Sequence, residues 1–291
     1  MKPAQFDYAR PKTVEEACGL LAGDMDARVL AGGQTLVPML AMRLSRPSVL
    51  VDITRIEALG GITLGADTVA IGAVTRQAAA LASEVIRDEV PLLAKALRHV
   101  GHPPTRCRGT MGGSVAHGDP SAEIPLAMTV LGAGIVFADD DGEEEAFDPA
   151  DFFLGPMLTS APMGGLLTRL VFPRRGTAPT GTGFREIASR RSDYAFASAG
   201  AQVVLKADGT CAEARLGIGS VGDTPVAVDV AGLSGTRLTR EDIRDAVAEA
   251  LEDLETVDDL HATARYRKRA AARLAELALT EARDDALEQA G

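Results

Sequence analysis

The sequence predicts an α+β chain that folds in three lobes. Apolar segments of helix and strand length alternate over the first 56 residues, and short strands interrupted by helices follow from about residue 57. The run Arg174–Pro179 is the clearest linker, and long strands and two helices come after it. We therefore expect lobes at residues 1–56 and 57–176 and an antiparallel α+β domain at 177–291, in line with a length of 291 residues.

The first lobe is predicted to alternate helix and strand twice. Thr13, with Glu16 three residues later, has the pattern of a helix N-terminus, and Leu20 and Leu21 are expected to form the apolar face of that helix. The elements expected after it are, in order, a strand at 28–31, a helix at 36–44 and a strand at 49–53.

The middle lobe is predicted to contain a hairpin, two helices and a further buried strand. Thr75 is expected to cap the first helix, and the residues just before Gly109 are expected to be extended. Three glutamates, Glu143–Glu145, are expected to form a solvated turn. The expected elements are strands at 62–64 and 69–71, helices ending at 81 and at 100, a buried apolar segment at 124–138 and a strand at 166–172.

The C-terminal domain is predicted to contain two long strands followed by two helices. Thr239 and Asp242 have the spacing of a capping box at the start of the first helix. The strands are expected at 194–205 and 212–218, and the second helix at 263–282. The apolar face expected for that helix consists of Tyr266, Ala270, Leu274 and Leu277.

The charge of the chain argues against two classes of partner. A net charge of −11 and a pI near 4.9 have the wrong sign for nucleic acid or an anionic membrane surface. The sequence contains no run of 18 apolar residues, and its first residues lack an apolar stretch of signal-peptide length. We therefore expect a cytoplasmic protein with no nucleic-acid partner and no membrane insertion.

The cysteines argue against a metal centre. Cys18, Cys107 and Cys211 lie about a hundred residues apart and form no pair at metal-ligand spacing. An iron–sulfur cluster needs four thiolates, and a structural zinc site usually needs four closely spaced ligands. We expect no metal site in this chain, so any redox chemistry would depend on a bound electron carrier.

Two glycine-rich segments are candidate phosphate-binding sites: Ala31–Leu36 (AGGQTL) and Gly109–Ser114 (GTMGGS). Adjacent glycines lack Cβ atoms and tolerate positive φ, so successive N–H groups can point at one anion. If the two segments faced each other, they would suit a pyrophosphate. Neither segment matches the GxGxxG or GxxxxGK[ST] pattern, and from the residues alone both could also be ordinary turns.

Three runs, in the same order and spacing, resemble one protein family. The runs are VLAGGQTLVPMLAMRLSRPSVLVDI (29–53), RGTMGGSVAHGDPSAEIPLA (108–127) and GFREIASRRSDYAFASAG (183–200). They resemble the AGGQSL signature, the TIGG loop and the start of the C-terminal domain in the FAD-binding medium subunits of molybdenum hydroxylases, the family of xanthine dehydrogenase and carbon monoxide dehydrogenase flavoproteins. The resemblance covers essentially the whole chain. Thr35 replaces the usual Ser, Met111 replaces Ile, and Thr105 and Cys107 stand where relatives more often have Ile and Asn.

The resemblance implies a two-lobed FAD-binding domain of the vanillyl-alcohol-oxidase (PCMH) type, followed by a C-terminal antiparallel α+β domain of the CO-dehydrogenase flavoprotein type. It implies that the two glycine segments hold the FAD pyrophosphate, that Glu123 lies against the adenosine ribose and that Tyr194 packs near the isoalloxazine. The FAD-binding residues that it implies are Ala31, Gly32, Gly33, Gln34, Thr35, Leu36, Thr110, Gly112, Gly113, Ser114, Asp119, Glu123, Leu167, Arg185 and Tyr194.

Some side chains keep more than one interpretation. Tyr194 could pack in a core instead of against a flavin, and His117 could either order its loop or polarise the flavin. Arg190 and Arg191 could be surface charges, a partner contact or guards of the flavin entrance. We find no nucleophile–base arrangement and no paired carboxylates, so we expect no catalytic residue in this chain.

The resemblance also implies a division of labour between subunits. A large molybdenum-cofactor subunit would hydroxylate the substrate, and a small subunit with two [2Fe–2S] clusters would relay electrons to the FAD of this chain. The electrons would then pass to an acceptor such as NAD, O₂ or a quinone, and the assembly is expected to be a dimer of heterotrimers. Two alternatives stay open: a stand-alone FAD-dependent oxidoreductase, and a non-catalytic FAD-binding or assembly module.

Overall fold

The computed structural model describes residues 2–290, in which the side chains form three hydrophobic cores. The strands are β1 (Asp7–Ala9), β2 (Arg28–Leu30), β3 (Val49–Asp52), β4 (Ile62–Leu64), β5 (Thr68–Gly72), β6 (Gly134–Ala138), β7 (Glu144–Phe147), β8 (Phe153–Gly155), β9 (Leu158–Thr159), β10 (Leu166–Pro173), β11 (Thr180–Ala188), β12 (Ala195–Leu205), β13 (Cys211–Gly219) and β14 (Val226–Val228). The helices are α1 (Val14–Gly23), α2 (Leu36–Ala41), α3 (Gln77–Ala82), α4 (Glu84–Glu89), α5 (Pro91–Leu97), α6 (Pro103–Arg108), α7 (Met111–His117), α8 (Glu123–Leu131), α9 (Pro149–Phe152), α10 (Arg240–Ala250) and α11 (Ala264–Ala290), with short 3₁₀ turns at Glu57–Leu59 and Ala231–Leu233.

The N-terminal lobe is a parallel three-stranded sheet in the order β1-β3-β2, covered by α1. Thr13 caps α1 as expected, because its side chain accepts a hydrogen bond from the Glu16 N–H. The expected apolar face is wrong at Leu20, which is 38% exposed, whereas Ala17 and Cys18 are fully buried. The Cys18 thiol lies 3.3 Å from the Ala138 carbonyl oxygen of β6, so the helix approaches the middle lobe through small side chains.

The middle lobe contains an antiparallel five-stranded sheet in the order β4-β5-β10-β6-β7. The predicted hairpin of β4 and β5 is confirmed, but Thr75 does not cap a helix: its hydroxyl donates to the Gly61 carbonyl, and α3 begins at Gln77. The solvated turn expected at Glu143–Glu145 is wrong in part, because Glu144 lies in the edge strand β7 and pairs with Arg169 of β10.

The segment before the second glycine run is helical, not extended as expected. The backbone turns sharply at Gly101, whose φ is +45°, and Pro103 then occupies the first turn of α6, where its fixed φ favours a helix. Gly109 ends α6, and α7 begins two residues later. The second glycine segment is therefore the start of a helix that enters the lobe.

The C-terminal domain is an antiparallel four-stranded sheet, β11-β12-β13-β14, covered by α10 and α11. The capping box of Thr239 and Asp242 is confirmed. Strand β11 was not expected, and α11 extends eight residues beyond the predicted end. Its apolar face is also offset from the prediction, since the side chains that it buries are Arg267, Ala271, Ala275, Ala278, Leu279, Ala282 and Ala286.

Glycines of β11 explain the offset of that face. A Cβ at Gly181 or Gly183 would lie 2.0 Å from the backbone oxygen of Ala282 or Ala278, so the helix backbone rests directly on the strand. Such close packing admits only small side chains on the buried face of α11. Tyr266 is too large for that face and is 41% exposed.

Ion pairs and hydrogen bonds between side chains and backbone join the C-terminal domain to the middle lobe. Lys95 of α5 lies 2.9 Å from Glu281 and 3.3 Å from Asp285 of α11, and Arg215 of β13 donates to the Leu131 carbonyl of α8 at 3.1 Å. The lobe boundaries at residues 56 and 176 stay a prediction. From residue 2 to residue 290, no helix has both the length and the apolar character to cross a membrane.

Candidate functional site

A cleft of about 1000 Å³ lies where the three lobes meet. It is lined by both glycine segments, by the loop between α7 and α8, and by residues 192–194 of the C-terminal domain. Its size is at the upper end of the range of roughly 300–1,000 Å³ that is typical of small-molecule sites. The cleft brings together every residue that the resemblance implies for FAD binding except Arg185.

The first glycine segment is pressed against the end of α6. A Cβ at Gly32 would lie 2.5 Å from the Arg108 carbonyl oxygen and 2.9 Å from the Gly109 Cα, which a larger residue could not tolerate. Gly33 has a φ of +70°, a conformation that other residues rarely adopt. The two glycine segments thus face each other in direct backbone contact, as expected of a shared phosphate site.

A row of open donors follows β2 in the first segment. The backbone N–H groups of Gly32, Gly33, Gln34 and Thr35 have no acceptor within the described part of the chain, whereas the Val37 N–H donates to the Gly33 carbonyl. Consecutive N–H groups without partners form a cavity of positive potential that suits an anion such as a phosphate.

The second segment contributes differently from what we expected. Its N–H groups are already used: Met111 donates to Thr75, Gly112 donates to Ala73, and Gly113 donates to the Thr110 hydroxyl at 3.1 Å. Its glycines are required by packing, since a Cβ at Gly112 would lie 2.7 Å from the Ala73 Cβ. The segment therefore forms a rigid wall of the cleft and offers the hydroxyl of Ser114, which has no hydrogen-bond partner among residues 2–290.

One end of the cleft is acidic. Asp119 and Glu123 line it, and burial raises the pKa of Glu123 to about 8. A hydrogen bond to the Glu123 backbone and the charge of Arg106 oppose this rise, and the negative charges of Glu186 and Asp119 add to it. In the FAD-free chain this raised pKa favours the protonated Glu123 carboxyl near pH 7, which can donate a hydrogen bond to a ribose hydroxyl as well as accept one.

Tyr194 also lines the cleft, immediately before β12. It is 71% exposed, so the alternative in which it packs in a core is wrong. The neighbouring Arg190 side chain is 84% exposed and pairs with Asp193 at 3.3 Å. His117 lines the cleft at the end of α7, and its side chain makes no hydrogen bond within the described residues.

Arg185 is the one implied residue that lies elsewhere. It belongs to β11, its Nε is 3.0 Å from Glu281 Oε2 on α11, and it is absent from the lining of the cleft. No strand was expected from the sequence at Thr180–Ala188, so there was no basis for deciding which neighbour the Arg185 side chain contacts. We therefore leave Arg185 out of the cleft.

Sequence reasoning missed Gln77. This residue is only 5% exposed, lines the cleft, and its amide Nε2 donates to the Thr110 carbonyl at 3.5 Å. Its Oε1 is buried without a partner in the described chain and occupies the space that a Cβ at Gly109 would need. A glutamine in a helical pattern carries no motif, and the only signal was the glycine at position 109, whose reason lies in the tertiary structure.

These features fit FAD. The open N–H row and the contact at Gly32 provide a narrow cradle, and a cleft of about 1000 Å³ has room for a dinucleotide. Among the described lining residues, Arg28 is the single arginine and there is no lysine, so backbone dipoles would meet the charge of a pyrophosphate. Within residues 2–290 the structure contains no group of three or more His, Cys, Asp or Glu placed to hold a metal ion.

Comparisons with known proteins agree with this interpretation. Residues 4–175 match the family described as "FAD binding domain in molybdopterin dehydrogenase", and residues 182–282 match "CO dehydrogenase flavoprotein C-terminal domain". The chain is 37% identical to the 6-hydroxypseudooxynicotine dehydrogenase complex subunit alpha of Paenarthrobacter nicotinovorans, over 97% of this chain and 96% of the relative. It is 36% identical to the nicotine 6-hydroxylase medium subunit of the same organism, over 92% and 93%.

A solved structure supports the same conclusion for the fold. Carbon monoxide dehydrogenase from Hydrogenophaga pseudoflava, in a form that lacks the Mo-pyranopterin moiety, contains a chain that matches with a TM-score of 0.93 at 32% identity. The match covers 98% of this chain and 99% of that chain. The fold and the cleft define a flavoprotein of the oxidoreductases, with FAD as its cofactor. More particularly, the chain belongs to the family of FAD-binding medium subunits of molybdenum hydroxylases. The expected family, fold class and cofactor are thus confirmed.

Proposed function

We propose that this chain holds FAD in the cleft between the two glycine segments and passes electrons from the [2Fe–2S] clusters of a small partner subunit to an external acceptor. Bound FAD supplies the two-electron redox chemistry, and the protein supplies position and electrostatics. A large partner subunit with the molybdenum cofactor would carry out the hydroxylation. The substrate site would then lie in that subunit.

The observation that carries the proposal is the backbone contact at Gly32. It brings four open N–H groups of the first segment within reach of the wall formed by α7, and such a cradle is what a pyrophosphate requires. On this proposal the first segment binds the phosphates through its backbone, Ser114 adds a hydroxyl, and Glu123 and Asp119 bind ribose hydroxyls. Leu167 and Tyr194 would border the remaining length of the cofactor.

The exposed edge near Tyr194 supports electron exchange with a partner. The Tyr194 side chain lines the cleft and is 71% exposed, so the cleft is accessible from solvent beside it. Residues Arg190–Asp193 directly precede Tyr194. Electron transfer from a cluster needs such an approach, so we place the docking edge of the small subunit here. Relatives named as a medium subunit and as a complex subunit alpha support a multi-subunit assembly, for which we propose a dimer of heterotrimers.

The acceptor and the compartment complete the proposal. We propose NAD, O₂ or a quinone as the acceptor, each of which can take electrons from a reduced flavin. We propose a cytoplasmic location because Cys18, Cys107 and Cys211 are all free thiols, as is usual in a reducing compartment.

Co-expression with the small and large subunits of the same organism tests the assembly. Size-exclusion chromatography with light scattering should show one complex with two copies of each subunit. Acid denaturation of the complex should release FAD and no FMN, and turnover with each acceptor in turn identifies the one used. A monomeric chain that turns over a small organic substrate by itself would contradict the proposal and favour the stand-alone oxidoreductase. FMN as the sole released flavin would contradict the assignment of the cleft.

A further inference from the structure

Arg267 is a buried arginine near the start of α11, outside the cleft. It is only 4% exposed, and its Nη1 donates to the carbonyl oxygens of Phe196, at 2.7 Å, and of Ser220. Its Nη2 donates to Asp259 Oδ2, while its Nε has no acceptor among the described residues. Burial of a guanidinium is costly unless acceptors surround it, and here the acceptors are mostly main-chain carbonyls. The side chain therefore holds backbone segments in place.

Both carbonyls belong to segments that continue to the cleft. Phe196 is the second residue of β12, and Tyr194, which lines the cleft, comes two residues earlier. Ser220 follows β13 with a φ of +67°, and its N–H donates to the Pro120 carbonyl at 3.0 Å. Pro120 belongs to the loop 119–121, and its two neighbours, Asp119 and Ser121, line the cleft.

The start of β12 also contacts both the loop 119–121 and the residue that follows β13. The Ser121 hydroxyl donates to the Ala195 carbonyl at 3.5 Å, and the hydroxyls of Ser198 and Ser220 lie 3.3 Å apart. The edge that carries Tyr194 and the loop of the middle lobe are thus joined at the boundary with the C-terminal domain. A single guanidinium fixes the C-terminal side of this junction.

We propose that Arg267 is a positioning residue of the FAD cleft, which fixes Tyr194 and the loop 119–121 relative to each other across the domain boundary. The inference rests on the proposed occupation of the cleft by FAD. It gives α11, which does not touch the cleft, a part in shaping its acidic end.

Titration of FAD into the FAD-free full-length chain tests the inference. The variants are Arg267→Met and Arg267→Lys, and the matched control is Arg273→Met, which removes an arginine of the same helix that pairs with Glu276 at the surface. Far-UV circular dichroism first establishes a temperature at which each chain is folded. We expect Arg267→Met to raise the dissociation constant of FAD about tenfold, the size of a lost hydrogen bond to a charged donor. Arg267→Lys should recover part of the loss, because an ammonium group can donate to both carbonyls, and the control should bind as the wild type does.

A milder variant keeps the test valid if Arg267→Met does not fold. The Asp259 side chain is 42% exposed, and Asp259→Asn leaves both carbonyl contacts of Arg267 in place. We expect this variant to fold and to weaken FAD binding about two- to threefold, because the guanidinium loses one of its three acceptors.

The midpoint potential of the bound flavin separates positioning from simple stability. Tyr194→Ala should shift the potential in the wild-type chain and should shift it less in the Arg267→Met or Asp259→Asn chain, where Tyr194 is already displaced. Unchanged FAD affinity together with a full Tyr194→Ala shift in a folded variant would overturn the role of Arg267 and leave FAD in the cleft. A wild-type chain that binds no FAD would overturn the proposed function, and the inference with it.

Discussion

Replacement of Gly32 by alanine is the sharpest perturbation of the cleft. The added Cβ would lie 2.5 Å from the Arg108 carbonyl oxygen and 2.9 Å from the Gly109 Cα, where ordinary contact begins at 3.4 Å. Both neighbours are backbone, so neither can rotate away, and the two glycine segments must separate by almost 1 Å. Overpacking of this kind costs about 1–3 kcal/mol. Because FAD would have to be held from both sides, we expect that strain to raise its dissociation constant by about 5- to 150-fold.

Fluorescence titration of FAD into the FAD-free chain measures this effect. Gly19→Ala is the matched control, because Gly19 lies on the exposed side of α1 with no atom within 4 Å of the added methyl group. The control should bind FAD as the wild type does and unfold at a slightly higher temperature, since alanine is favoured over glycine in a helix by about 1 kcal/mol. Wild-type affinity in Gly32→Ala would refute the view that the contact between the segments shapes the cofactor site.

Three further predictions concern single side chains. Thr110→Ala removes the hydroxyl that accepts the Gly113 N–H at the start of α7, so we expect a loss of about 1 kcal/mol in the free energy of unfolding and a mild loss of FAD affinity, measured by urea denaturation and titration. Glu123 binds its proton more tightly in the folded chain, with a pKa of about 8 against an ordinary 4.5, so the free energy of unfolding of the FAD-free chain should fall as the pH rises from about 5 to 8. Glu123→Gln should flatten that slope, and an unchanged slope would contradict the burial of this carboxyl. Arg185→Ala should leave the FAD dissociation constant unchanged, because Arg185 pairs with Glu281 outside the cleft, and a loss of affinity would show that our placement of this residue is wrong.

Local rules of sequence predicted the parts of the fold that depend on neighbours along the chain. Thr13 and the Thr239–Asp242 pair cap their helices as expected, because a cap involves residues only three positions apart. The hairpin of β4 and β5 follows for the same reason, from alternating residues around a short turn. These interactions need no knowledge of the rest of the molecule.

Tertiary packing decided what the sequence could not show. The buried face of α11 is set by Gly181 and Gly183 of β11, which admit only small side chains, so a pattern based on large apolar residues selected the wrong face. Gly101 and Pro103 together start α6, although that segment had been expected to be extended.

In the candidate site, too, some features could be predicted from the sequence and others depend on tertiary packing. The two glycine segments could be recognised from their residues and from the resemblance, and the cleft does bring them together. What each segment contributes could not be predicted, since the N–H groups of Gly112 and Gly113 are used within the fold while those after β2 stay open. Gln77 carries no motif at all, and its place beside Gly109 follows only from the packing of α3 against α6.

The electron-transfer role itself is tested most directly by rapid mixing. The FAD-loaded chain is mixed without oxygen with the chemically reduced [2Fe–2S] subunit from the same organism, and the absorbance of the flavin is followed. Our account predicts that the flavin absorbance bleaches as the clusters are oxidised. It also predicts that Tyr194→Ala changes the rate while FAD stays bound, and that addition of the correct acceptor restores the absorbance. A flavin that stays oxidised in the presence of a fully reduced small subunit would contradict the account.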